Sequence, residues 1–112
     1  MGAPLSTRRC REVLKKLRRD FPAPAPVRVR FCDLGLDTYG VTGRGPRAFS
    51  IRLNNRRPFC ADVETLLHEW AHVLTWDEAD RGDHHGPMWA VQQAEIMARF
   101  DGTGRYEGRE PY

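Results

Sequence analysis

Asp62-Val63-Glu64-Thr65-Leu66-Leu67-His68-Glu69-Trp70-Ala71-His72-Val73-Leu74-Thr75 is the stretch on which the reading of this chain turns. Asp62 is a strong helix N-cap, and neither glycine nor proline interrupts the run to about Thr75. Val63, Leu66, Leu67, Trp70, Ala71 and Leu74 recur at helical spacing and make one continuous apolar face. His68 and His72 are four residues apart, so they lie on one side of the helix, one turn apart. Glu69 is one step round from His68. All three are expected on the polar side, where a cleft would be.

Histidine, glutamate and histidine in the order H-E-x-x-H suit a metal site. Two imidazoles one turn apart can reach one ion, and zinc takes nitrogen ligands at about 2.0–2.1 Å with a fourth position left for water. Zinc lowers the pKa of that water, and Glu69 is expected to take its proton as the water attacks a carbonyl. A catalytic zinc needs a third protein ligand, for which Glu78, Asp80, Asp83, His84, His85 and Glu95 are the candidates. The metzincin pattern is excluded, because Thr75 and Glu78 stand where it needs glycine and histidine. A thermolysin-like arrangement would use Glu95.

On the C-terminal side, Asp77 to His85 reads as a polar loop. Gly86 and Pro87 suit the start of a further helix running to Phe100, with Trp89, Ile96 and Phe100 on one stripe. Residues 101–112 are Gly-rich and polar, and like residues 1–5 are expected to be a frayed tail. Working back towards the N-terminus, Asn54 to Phe59 is a loop. Ala48-Phe49-Ser50-Ile51-Arg52-Leu53 alternates as a strand does, and Gly43-Arg44-Gly45-Pro46 is a turn. A short strand is expected around Tyr39 to Thr42 and another over Val27 to Phe31. Pro22 to Pro26 is a stiff connector. Ser6 and Thr7 offer caps for a helix to Asp20, whose buried stripe is Cys10, Val13, Leu14, Leu17 and Phe21. The chain is therefore expected to be α+β, one domain over 1–112. Its order is an N-terminal helix, a sheet of about three strands, the H-E-x-x-H helix and a C-terminal helix.

Composition narrows the function classes. No apolar run approaches the roughly 20 residues of a membrane span, and no secretory segment follows the basic start, so a cytoplasmic protein is expected. Met1 to Ser6 fits the short myristoylation pattern by chance. Cys10, Cys32 and Cys60 form no Cys-x-x-Cys pair, which argues for buried reduced thiols and against a disulfide framework or a zinc ribbon. Residues 1–60 carry 14 Lys and Arg against 4 Asp and Glu, a net +10. Residues 61–112 carry 4 against 11, a net −7. The basic half can meet a polyanion such as DNA, or the two halves can attract each other within the fold.

His68-Glu69-Trp70-Ala71-His72, followed by His85-Gly86-Pro87-Met88-Trp89, resembles the SprT/Spartan metallopeptidases. Ser50-Ile51-Arg52-Leu53-Asn54 ahead of the H-E-x-x-H helix is similar to that family as well. The resemblance implies a minimal zincin-like fold and one Zn2+ held by His68, His72 and His85, with Glu69 as the catalytic base. It also implies proteolysis, in several members directed at DNA-associated proteins. With no cysteine after Cys60, the C-terminal zinc ribbon of many members is not expected here. The strand from Ala48 to Leu53 is either an edge for an extended substrate or an ordinary internal strand. Tyr39 and Tyr106 are candidates to stabilise an oxyanion. Two other readings stand beside the zinc endopeptidase: a non-catalytic zinc-containing DNA- or protein-binding module, and a non-proteolytic zinc hydrolase. The intact Glu69 disfavours the first, because a structural site has no use for it.

Arg8, Arg9, Arg11, Lys15, Lys16, Arg18 and Arg19 lie in and beside one helix, and Arg28 and Arg30 on one strand. If these cations meet phosphates, a labelled oligonucleotide should bind with little sequence preference, more weakly at about 200 mM than at about 50 mM salt. Replacing Lys15, Lys16, Arg18 and Arg19 by alanine should weaken it in fluorescence anisotropy. Undetectable binding at low salt, or none lost in the variant, would make this a solvated surface.

Overall fold

The computed structural model describes residues 5–57, 61–79 and 85–101. Among them the elements run α1 (Leu5–Asp20), β1 (Val27–Cys32), β2 (Gly40–Arg44), β3 (Phe49–Asn54), α2 (Val63–Leu74), α3 (Trp76–Ala79) and α4 (Pro87–Asp101). The architecture is α+β, as the order of periodicities requires. No described helix is long and apolar enough to cross a membrane.

The sheet has the order β1-β3-β2. β1 runs parallel to β3, with Val29 opposite Ile51, and β2 runs antiparallel to it, with Thr42 opposite Ile51. β3 is thus the central strand, paired on both sides. Of the two readings open for residues 48–53, the internal strand holds and the substrate edge does not. Phe49, Ile51 and Leu53 are buried on one face, while Ser50 and Arg52 are exposed on the other with Arg28 and Arg30. One face of the sheet therefore carries the core and the other meets water. β2 extends through Gly43 and Arg44, which the sequence marks as turn, because Arg44 pairs with Phe49 and the bend is delayed to residues 45–48.

α2 fills the covered face of the sheet. Asp62 caps it as expected, accepting from Thr65 N at 3.2 Å, and Thr75 closes it by donating Oγ1 to Ala71 O at 2.8 Å. Leu66, Leu67 and Trp70 are at most 1% exposed, each burial stabilising by about 1.5–3 kcal/mol. The Trp70 indole donates to Phe21 O at 2.9 Å, which ties α2 to the end of α1. α1 contributes Cys10, Val13 and Leu17, all buried, and starts at Leu5, slightly before the expected cap. α4 contributes Trp89, Ile96 and Phe100. The expected loop after Thr75 begins with the helical turn α3. Cys32 is half-buried at the end of β1, and Cys60 lies outside the described residues, as do residues 102–112 of the expected tail.

Arg18 and Arg19 of α1 are engaged within the chain. Arg18 donates to Val27 O at 2.8 Å. Asp20 takes Arg19 at 2.8 Å and Arg99 of α4 at 3.1 Å. The hydrogen bond from Arg19, with Arg99 adding to it, lowers Asp20 to about 2. Lys15 and Lys16 are exposed, so a change confined to them probes the surface alone.

Asn54, 1% exposed, organises the crossover from β1 to β2. Its Oδ1 accepts from Leu34 N at 3.1 Å and Arg56 N at 2.9 Å, and its Nδ2 donates to Gly35 O at 3.0 Å and Thr38 O at 2.6 Å. Gly35 has φ 89, the left-handed region that glycine adopts without strain. Asn54→Ala removes all four bonds, and water can reach only part of what is left. It should cost about 2–3 kcal/mol in urea unfolding, whereas a loss below about 0.5 kcal/mol would show that the loop holds itself.

Candidate metal centre

His68 and His72 project from α2, and His85 sits just ahead of α4. The carbonyl of Gly86 accepts from Ala90 N at 3.0 Å, which makes Gly86 the cap of α4 and leaves His85 outside the helix. Packing of α4 against α2 brings this histidine to the other two. One nitrogen from each imidazole lies within 4.8 Å of the others. Ring centroids are 5.0 Å apart for His68 and His72, 5.4 Å for His68 and His85, and 4.8 Å for His72 and His85. The three residues are close enough to bind a metal ion. Metal–nitrogen bonds of about 2.0–2.1 Å in a tetrahedron set the nitrogens about 3.4 Å apart, so small rotations of the rings close the site.

The donor chemistry fits an ion too. Burial, with the charge of His85 adding to it, lowers His68 to about 4. It is therefore neutral at physiological pH, the form that ligates. His85 is exposed, which leaves the cluster open to solvent on that side. Trp89, 9% exposed, packs against all three rings. Its indole stacks on His72 at 5.5 Å and meets His68 and His85 edge-on at 4.9 and 4.8 Å. Rings packed on a rigid indole lose rotamer freedom before any ligand arrives.

Glu69 departs from expectation. It is not on an open polar face but buried, 6% exposed, under β2. Thr42 Oγ1 donates to Oε1 at 2.6 Å and also lies 3.2 Å from the main-chain oxygen of Glu69. β2 comes this close because Gly40 has no side chain. A Cβ there would stand 2.9 Å from Thr65 Cγ2 and 3.2 Å from Glu69 Cγ. Burial raises the carboxyl's pKa, and the hydrogen bond from Thr42 pulls it back down. The carboxylate is outside the group of ligand atoms.

Of the other candidate ligands, Glu95 is exposed on α4 and apart from the cluster. Asp80, Asp83, His84 and the side chain of Glu78 lie outside the described residues, as does Tyr106. Tyr39 is half exposed just before β2. Sequence reasoning missed Thr42 and the contact of Trp89 with the imidazoles. Two glycines in one short strand, Gly40 and Gly43, were the available signal of a close approach. No protein-family model matches the chain, and no curated protein matches it.

Because the folded state holds a Glu69 proton that the unfolded chain releases, this group's contribution to stability falls as pH rises through its range. Thr42→Val keeps the shape and removes the donor, so Glu69 should titrate at higher pH than in the parent. Carboxyl-detected NMR on metal-free protein reads this directly, and an unchanged or lower midpoint would deny the hydrogen bond.

Proposed function

We propose that the chain is a zinc-dependent endopeptidase of SprT-like kind, with His68, His72 and His85 as ligands and Glu69 as the general base. The convergence of the three imidazoles from two helices is the observation that carries this reading. Bound there, zinc supplies a Lewis acid that polarises a carbonyl and acidifies water. Glu69, fixed by Thr42, accepts the proton of the attacking water and returns it to the departing amine. Burial raises its pKa, which makes it a readier proton acceptor than an exposed carboxylate. A purely structural site would have no use for a carboxyl group kept from solvent beside its ligands, where burial costs free energy. That favours catalysis over a binding module.

β2 packs against α2, and its outer side is unpaired among the described residues. An extended substrate main chain can pair there along Gly40–Arg44. The exposed cations of α1 support DNA-bound proteins as one class of substrate.

Metal content and turnover separate binding from chemistry. By elemental analysis, His85→Ala should lose zinc at least as fully as His68→Ala, while His84→Ala stays loaded. Glu69→Gln should keep its zinc and fold but lose about 10²–10⁴-fold in peptide hydrolysis. Zinc released by Glu95→Ala alone, or undiminished hydrolysis by Glu69→Gln, would sink the assignment.

A further inference from the structure

The sheet's other margin, β1, has its own architecture. Phe49 N donates to Pro26 O at 2.8 Å and Asn55 N to Cys32 O at 3.0 Å. In a parallel ladder the bonds alternate along each strand. These two anchors therefore assign Arg28 and Arg30 to β3 and turn the main-chain groups of Val27, Val29 and Phe31 outward. The bond from Arg18 to Val27 O agrees, since it occupies one of those outward carbonyls. Past it, Val29 and Phe31 face a groove of about 1030 Å³ whose far wall is α1, with Arg11 and Leu14. No described strand pairs with this edge.

The side chains along β1 are sorted by face. Val29 and Phe31 are half-buried towards the core, while Arg28 and Arg30 are exposed on the open face. Arg30 has Arg52 directly beside it on β3, a like-charge neighbour that destabilises the bare sheet. Among the described residues neither Arg28, Arg30 nor Arg52 has an ion pair.

We propose that the open edge of β1 docks an extended segment of a partner protein in which acidic and apolar residues alternate. Added as a fourth strand, such a segment pairs its main chain with Val29 and Phe31. Its apolar residues enter the groove beside Leu14, and its acidic residues lie next to Arg28 and Arg30. The alternation follows from the period of two, which puts every second side chain on one face. The repulsion between Arg30 and Arg52 is relieved at the same time. The margin is two strand spacings, about 10 Å, from β2, so this site does not depend on the metal reading.

The test is fluorescence anisotropy of the full chain with a labelled Glu-Val-Glu-Val-Glu-Val-Glu peptide. The peptide should bind, and Arg30→Glu should weaken it about fivefold or more. Two derivatives probe the ladder, one N-methylated at the valines and one at the internal glutamates. Only one set of amides faces β1, so one derivative should lose binding and the other keep it. A peptide of the same composition with its valines in one block should bind poorly. The proposal fails if the alternating peptide does not bind, if both derivatives bind like the parent, or if the blocked peptide binds equally well. The last result would reduce the site to a charged surface.

Discussion

Everything at the candidate centre depends on how α2 is confined. Leu66, Leu67, Trp70 and Ala71 must leave water, and the sheet, α1 and α4 each take part of that surface. Once those residues are placed, the azimuth of the helix is fixed, and with it the direction of every other side chain. His68 and His72 then have one place to go, the side where α4 begins. A helix free to roll by one residue, 100°, would exchange histidines for leucines at the core and lose several kcal/mol. The precision of the site is thus inherited from apolar packing.

Electrostatics explains why the cluster has the composition it has. Three imidazoles with centroids 4.8–5.4 Å apart cannot all be protonated without mutual repulsion. Burial drives His68 towards neutrality first. Trp89 gives them an aromatic wall that keeps water off one side without offering a competing charge. Glu69 experiences the opposite pressure, since burial favours its protonated form. The single hydroxyl of Thr42 is what holds the anion within reach. Three imidazoles within reach of one ion, with His68 held neutral by burial, form a donor set that a metal ion can use.

Much of this was legible in the residues. Asp62, Thr75, Gly86 and Pro87 mark helix ends by local chemistry that tertiary structure does not override, and their elements appear where they were expected. The histidine pair is legible for the same reason, because helical spacing alone puts His68 beside His72. Strand order was not. Phe49, Ile51 and Leu53 alternate with polar residues, and this is what any strand with one wet face does, whether central or marginal. The extent of β2 was misread because Gly43 reads as turn chemistry, although pairing to Ser50 keeps it in the ladder. The burial of Glu69 was hidden in a different way. A helical projection shows its neighbours on α2 but not that Gly40 lets a strand close over it.

Among the described residues the sheet ends in two open margins, and their surroundings differ in kind. β2 has α2 beneath it, and Gly40, which lets it approach, together with Gly43 leaves it little side-chain bulk of its own. A chain lying along it would be held mainly by main-chain bonds, an arrangement tolerant of sequence. β1 has a basic rim, a groove lined by apolar side chains and arginines, and a neighbouring like charge, features that discriminate among side chains. An unpaired edge invites unwanted association, and arginines along it are a common guard, since most added strands would be repelled or left poorly packed. The same arginines that exclude a generic strand admit one carrying the opposite charge. Protection and recognition then come from a single set of residues, with no further structure needed to switch between them.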